Sequence, residues 1–369
     1  MKSIHFLLML LIICGLNFYV IYRLVYMIPA NIVARSIVVI FGIFATLSLF
    51  LIFFAGNALS IEITSFLYRI GTSWIFISLY FLMIFLLLDI ARVTAIFPVD
   101  KILYKNWLSF GVIVGFVTLV MMMGYFKYQN KERVVLDIAL NKGANIAPLK
   151  IVAVSDLHLG YGIGKEEFSR WVELINKENP DVVLIAGDVI DNSLRPLIAG
   201  GYDQVFRNIK SKYGVYMALG NHEYISGVNE SLDFLEKSGV KVLRDNATLI
   251  NNQFYIVGRD DRSYFGRKRI WDLTDPLDQT KPIIVLDHQP YELGEIELFN
   301  IDLQISGHTH HGQVWPISWI TQAIYQKAHG YLKKGNSHIY VTSGLGVWGG
   351  KFRIGTQSEY VVINLSSSN

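Results

Sequence analysis

The spacing of apolar and polar residues changes character near residue 127. Before it, uncharged apolar runs extend from Ser3 to Tyr22, Ser36 to Ile61, Ile70 to Leu88 and Asn106 to Phe126. Each is near the roughly 20 residues a helix needs to cross a bilayer, and together they predict four transmembrane helices within residues 1–126. The first run also has the length of a cleaved signal. Asn17, Tyr19, Tyr22 and Arg23 stand where a small-residue cleavage site belongs, which favours a retained span. Tyr26, Trp74, Trp107 and Tyr125 lie near predicted span ends, where amphipathic rings find both environments.

Beyond a polar connector at 127–132, the alternating stretch Arg133–Leu140 opens a second domain, 133–369. Short β-branched runs there alternate with helical patterns. Strands are expected at Lys150–Ser155, Asp181–Ala186, Val215–Leu219, Gln253–Val257, Pro282–Asp287, Asp302–Ser306, His338–Thr342 and Tyr360–Asn364. Helices are expected at Lys165–Asn176, Tyr202–Ile209 and Asn229–Lys237. Such alternation argues for the α/β class, in which ligands gather beyond the carboxyl ends of the strands.

Composition agrees with a chain whose first third lies in a membrane: 52% of residues are hydrophobic and the mean hydropathy is +0.37. The net charge is only +3, and no basic stripe interleaved with aromatics occurs in the polar half, so nucleic acid is excluded as a partner. Cys14, the only cysteine, lies in the first span and can form no internal disulfide, so a reducing compartment is permitted. Lys2, Arg69, Lys127, Lys131 and Arg133 on one face are matched in number by Arg23, Arg35, Arg92, Lys101 and Lys105 on the other. The basic group after the fourth span favours a multi-pass protein of the cell membrane with its second domain in the cytoplasm.

Nine histidines occur, and six fall in four blocks, SDLHLG, GNHE, LDHQP and GHTHHG; a fifth block is GDVID, Gly187–Asp191. Each block follows an expected strand: Asp156 after Ile151–Val154, Asp188 after Val182–Ile185, Asn221 after Val215–Leu219, His288 after Ile283–Leu286 and His308 after Leu303–Ile305. Singly, such motifs are more often capped turns or strand ends. Together they bring carboxylates, imidazoles and an amide to one rim, the donor set of a two-metal hydrolytic site. Two divalent ions can clamp the attacking and leaving oxygens of an in-line phosphoryl displacement, and a carboxylate can bridge them. Imidazole donors suit transition metals better than magnesium or calcium. Gly160–Lys165, GYGIGK, lacks the gap and the Ser or Thr of a phosphate loop.

These blocks, D-x-H, G-D-x-x-D, G-N-H-[DE], a lone H and G-H-x-H in that order, resemble the calcineurin-like metallophosphoesterase superfamily. The resemblance covers about Arg133 to Leu365. It is strongest to a membrane-anchored branch that reads SDLHLG, GHTHxGQ and a late Ser-Gly-Leu-Gly turn, here Ser343–Gly346. It implies a four-layer α/β/β/α sandwich after the transmembrane helices. It also implies one metal on Asp156, His158, Asp188 and His310, and a second on Asp188, Asn221, His288 and His308, with Asp188 as the bridge. The two ions would be divalent manganese, iron or zinc, and the nucleophile a metal-bridging hydroxide. His222 would serve the leaving group or the phosphoryl oxygens, with Asp191 orienting its ring.

Two positions depart from the pattern or lie outside it. His311 stands where this branch more often has Gly and is a candidate substrate contact or an exposed turn residue. Arg353 is a candidate phosphate contact or a surface ion pair. Trp315, Trp319, Ile320, Ile324, Tyr325, Tyr331 and Trp348, with Lys327, Lys333 and Lys334 nearby, suggest an approach to a bilayer or an acyl slot, with ordinary loop packing as the alternative. Relatives of the branch are associated with UDP-diacylglucosamine hydrolysis in lipid A synthesis, so the expected partners are the bilayer and a lipid-linked phosphoester. A tethered nucleotide phosphodiesterase and a non-catalytic membrane sensor that binds phosphate stay open; the intact His222 counts against the sensor.

Overall fold

In the computed structural model, residues 2–95, 98–142 and 147–367 are described. One compact unit takes in the chain up to Tyr125 together with Gly349–Lys351, and a second comprises Phe126–Trp348 and the chain from Phe352 on. The first is built of long helices, Lys2–Met27, Ile32–Ala55, Ile61–Val93 and Trp107–Gln129. Three stretches, Ile32–Ile52, Ile61–Val93 and Trp107–Gln129, are long and apolar enough to cross a membrane, and Leu11–Met27 is a shorter apolar one. The apolar run expected to reach Ile61 breaks after Ala55, because Ser60 caps the next helix by accepting a hydrogen bond from Ile63 N at 3.3 Å. Asp89 is more than a flank of its span: it pairs with Arg23 and accepts from Tyr19 OH, tying the first helix to the third.

The fourth long helix continues to Gln129 and strand β1 starts at Lys131, so the polar connector expected over 127–132 is reduced to Asn130. The second unit contains twelve strands among its described residues: β1 Lys131–Leu140, β2 Leu149–Val154, β3 Val182–Ala186, β4 Val215–Ala218, β5 Val240–Val242, β6 Asn246–Ile250, β7 Phe254–Gly258, β8 Ile283–Leu286, β9 Leu303–Ser306, β10 Gly330–Lys334, β11 Ser337–Val341 and β12 Ser358–Ser367. They form two six-stranded sheets, ordered β1-β12-β2-β3-β4-β5 and β10-β11-β9-β8-β7-β6. Strands β2 to β5 run parallel, as do β7, β8, β9 and β11, so their carboxyl ends collect on one side of each sheet.

Period-two alternation explains the layering. On β2, Ile151 and Ala153 enter the core between the sheets with Leu184, Ile256, Ile284 and Ile305. Val152 and Val154 face the other way, against Phe168, Trp171 and Ile175 of the helix Lys165–Lys177, which buries positions three and four apart. On the second sheet, Val257, Ile283 and Val285 pack outward against Ile270, Leu273 and Ile296 from short helices. The result is the four-layer α/β/β/α sandwich, with most strand residues fully buried.

Candidate metal centre

Each chemical block begins where a buried parallel strand ends, and the backbone turns sharply there. Asp156, His158, Asp188, His308 and His310 all adopt left-handed φ, from +45° at His158 to +69° at His308. Such values are uncommon for residues with a Cβ and gather at functional sites. The turns aim side chains from β2, β3 and β9 into one space. Close approach by a neighbouring residue requires glycine in two blocks. A Cβ on Gly220 would fall 2.6 Å from Asp188 N and 2.9 Å from its Cγ, and one on Gly307 would fall 2.5 Å from Ser155 Oγ.

Three candidate ligand groups result among the described residues, one of which, His158, Asp191 and His222, shares His158 with the first of the other two. In the first, Asp156, His158 and His310 converge: His158 Nε2 lies 3.0 Å from His310 Nε2 and 3.9 Å from Asp156 Oδ1, and His310 Nε2 lies 3.5 Å from the same oxygen. In the second, Asp188, His288 and His308 converge, with Asn221 Oδ1 2.9 Å from His308 Nδ1. Asp188 Oδ2 stands 3.1 Å from His288 Nε2 and 3.8 Å from His158 Nε2, so one carboxylate faces both groups. Donors that share an ion at bonds of about 2.0–2.2 Å lie about 3–4 Å from one another, the spacing found here.

Tautomers test whether these residues suit a metal. His288 Nδ1 donates to the Ala186 carbonyl at 2.7 Å, which leaves Nε2 facing the Asp188 carboxylate without a hydrogen bond. Two lone pairs in that position demand a positive charge between them, a proton or a metal ion. Burial alone would push His288 down and Asp188 up; their mutual attraction overrides it, holding His288 well above and Asp188 well below the ordinary values. Burial brings His308 down to about 4, and burial with the neighbouring His158 holds His310 well below its usual range. Both are therefore neutral imidazoles near pH 7, the form that ligates. The donor set fits divalent transition metals.

The family model for calcineurin-like phosphoesterases matches residues 149–312. An uncharacterised metallophosphoesterase of Helicobacter pylori is 31% identical over 276 residues, 72% of each chain. This chain belongs to the calcineurin-like metallophosphoesterases. An uncharacterised metallophosphoesterase of Campylobacter jejuni is 34% identical over 222 residues, and the match takes in 59% of each chain, so this protein spans less than two thirds of that relative. A transmembrane protein with metallophosphoesterase domain from Danio rerio is 31% identical over 240 residues, 60% of this chain and 54% of its own.

Around the candidate ligands of this metallophosphoesterase, Asp191 serves two histidines. Its carboxylate Oδ1 lies 3.4 Å from His158 Nδ1 and 3.6 Å from His222 Nδ1, while its backbone carbonyl accepts from His222 Nδ1. His222 is thus oriented by the main chain of Asp191 at least as much as by its carboxylate. The His222 ring stands edge-on to His158 at 4.6 Å, and its amide donates to Asp188 Oδ1 at 2.9 Å.

Arg353 is neither at the surface nor directed at a ligand. Its guanidinium is fully buried and donates to the carbonyls of His310, Ser343 and Gly346 and to Ser358 Oγ, and burial brings it down to about 10. It fixes the backbone that carries His310. His311 lies outside the ligand groups found among the described residues; its ring stacks on His329 at 4.6 Å and meets Gln322 at 3.0 Å.

Two positioning residues went unassigned in the sequence. Glu223, wholly buried, accepts from the amides of Asp188, Val189, Ile190 and Gly220 at 2.8–3.1 Å. Burial and the Asp188 charge push its carboxyl up to about 7 against those donors. Glu359, also buried, accepts from His329, Tyr340 OH and Ser343 N. Glu223 ends the GNHE block, which is the signal that marked it; Glu359 sits in a strand with no motif around it.

Proposed function

We propose that this metallophosphoesterase is a membrane-anchored hydrolase that cleaves a phosphodiester or pyrophosphate bond, with a lipid-linked phosphoester as its substrate class. The observation that carries the reading is the position of Asp188, a fully buried carboxylate within 3.8 Å of a histidine from each ligand group. Asp156, His158, Asp188 and His310 would hold one divalent ion and Asp188, Asn221, His288 and His308 the other, with manganese, iron or zinc matching the mixed oxygen and nitrogen donors. When bound, such a pair supplies the positive charge and the activated water for in-line displacement.

The chain's own residues do the rest. His222 has Nδ1 engaged by the Asp191 carbonyl, which leaves Nε2 to give a proton to the leaving oxygen or to neutralise charge on the phosphoryl group. Asp191 holds His158 in the tautomer that turns Nε2 toward the ligand group. Residues 1–126 act as the membrane anchor and 133–369 as the hydrolase, on the cytoplasmic face. Labelling of Lys131 by an impermeant reagent in intact cells would place it outside and refute that orientation.

The deciding experiment is hydrolysis of an activated aryl phosphodiester by manganese-loaded protein, wild type against Asp188→Asn. Loss of turnover with an unchanged circular dichroism spectrum is expected, and equal rates refute the assignment. A panel of nucleotides, phospholipids and sugar-nucleotide lipids then separates the lipid-linked substrate from a tethered nucleotide phosphodiesterase. Absence of turnover on the whole panel would favour a phosphate-binding sensor.

A further inference from the structure

Residues 303–326 contain no Asp, Glu, Lys or Arg, yet they include a surface helix, Ile317–Ile324. Its Trp319, Ile320 and Ile324 are 56–63% exposed; Ile320 and Ile324, four positions apart, share one face, and Trp319 adjoins Ile320 in the chain. This helix borders the metal centre: Gln322 meets His311, and Tyr325 packs edge-on against His308 at 6.2 Å. Tyr325 in turn contacts Tyr291, with the hydroxyls 3.2 Å apart and the rings at 5.0 Å, and Arg262 lies over the Tyr291 ring at 4.6 Å. Arg262 begins a loop whose Tyr264 and Phe265 are exposed, Phe265 completely. A continuous line of contacts therefore runs from a metal-ligand candidate to two exposed apolar elements on separate parts of the chain.

We infer that this rim, the 262–269 loop together with the 315–325 segment, seats on an anionic lipid surface. Large apolar side chains exposed side by side on a protein surface mark an interaction site, and three observations select a bilayer over a protein. The exposed side chains of the 262–269 loop are aromatic, small or cationic: Arg262 and Arg269 pair at the surface with Glu292 and Asp272, Lys268 is exposed, and the acids just before the loop, Asp260 and Asp261, are wholly buried. Lys327 lies three residues past the end of the helix, so a cation stands near the apolar groups as in interfacial segments. The same chain carries helices long and apolar enough to cross a membrane, so a bilayer is within reach without a diffusing partner. The docking does not depend on which bond the metal centre cleaves.

The test uses the full chain with Cys14→Ser, reconstituted in phosphatidylglycerol/phosphatidylcholine vesicles, with nitroxide attached through Phe265→Cys or Trp319→Cys. Asp233→Cys, exposed on the helix Val228–Lys237, is the aqueous reference. Collision rates with oxygen and with a water-soluble nickel chelate are expected to place both rim labels about 5–10 Å below the lipid phosphates, with the reference in water. Water-like ratios at either rim position overturn the inference. Spin–spin broadening there that disappears on dilution with unlabelled protein also overturns it, because a second copy would then cover the face. No turnover is measured, so failure of this inference and failure of the aryl phosphodiester assay are separate results.

Discussion

Replacing Gly220 by alanine probes whether the position of Asp188 governs the centre. Gly220 has φ −109° and ψ −178°, a backbone any residue adopts, so the substitution adds no backbone strain and acts through contact alone. Its Cβ would lie 2.9 Å from Asp188 Cγ and 2.6 Å from Asp188 N. Carbon atoms settle at about 3.5–4.0 Å, so the carboxylate must retreat by about 1 Å. Asp188 cannot move freely, because Glu223 holds its amide and the next two from behind. A displacement of that size in a reacting constellation costs about 10²-fold in rate. Gly220→Ala is expected to lower kcat/KM on the aryl phosphodiester by about that factor and to reduce metal content at both groups. Gly164→Ala, whose Cβ meets no atom within 4 Å, is expected to be silent. Metal analysis, steady-state kinetics and a thermal melt on the same preparations check it. A Gly220→Ala protein with wild-type metal content and wild-type kcat/KM would refute the argument that this carboxylate is held in place by contact.

Other substitutions separate positioning from chemistry. Glu223→Gln turns one acceptor oxygen into a donor facing two buried amides, which should destabilise the fold by about 3–6 kcal/mol at 1.5–3 kcal/mol per charge-assisted bond; a melting curve like wild type would count against it. Arg353→Met leaves the His310, Ser343 and Gly346 carbonyls without their donor, at about 1–3 kcal/mol each, and metal should be lost from the group containing His310 before the other, which metal-binding titration resolves. His222→Ala is expected to lower turnover by about 10²–10⁴-fold with metal content little changed; a parallel loss of both would make His222 a ligand. The Glu359 carboxyl, which burial would raise, is brought down to about 2 by the His329 and Gln357 hydrogen bonds and the Ser343 amide. Its roughly 3 kcal/mol of stability is therefore full above its ordinary pKa near 4.5 and is lost as pH falls toward 2. Glu359→Gln should flatten urea-measured stability across that window, and an unchanged slope would refute the assignment.

What the sequence made legible follows from where the signal lies. The central strands β2, β3, β4, β8 and β9 are uninterrupted apolar runs because both faces are buried, and each ends in a chemical block. The unexpected strands, β5, β6 and β10, are sheet edges: β5 has three residues, and β6 and β10 carry polar side chains on exposed faces. Neither has the alternation or length that would single it out. Arg353 reads as surface because it follows a glycine-rich turn and stands beside Lys351 and Phe352; only the fold brings the three carbonyls of that turn and of His310 around it. His311 departs from the branch's pattern, and no motif announces its stacking partner His329, 18 residues on.

Glu223 and Arg353 share a physical logic. The turn after β3 points three amide N–H groups inward, Gly220 after β4 adds a fourth, and a buried acceptor with two oxygens satisfies them. The turn after β11 and the backbone at His310 point carbonyls inward, and a buried fork of N–H donors satisfies those. Each charged group engages backbone partners and belongs to none of the candidate ligand groups found among the described residues. Left-handed φ at Asp156, His158, Asp188, His308 and His310 costs of order 1–3 kcal/mol per residue, and such turns persist only where their surroundings fix them. Both fixing groups lie outside the candidate ligand set and hold these loops through the protein's own hydrogen bonds. A loop held in this way leaves less chain ordering for ion binding to offset.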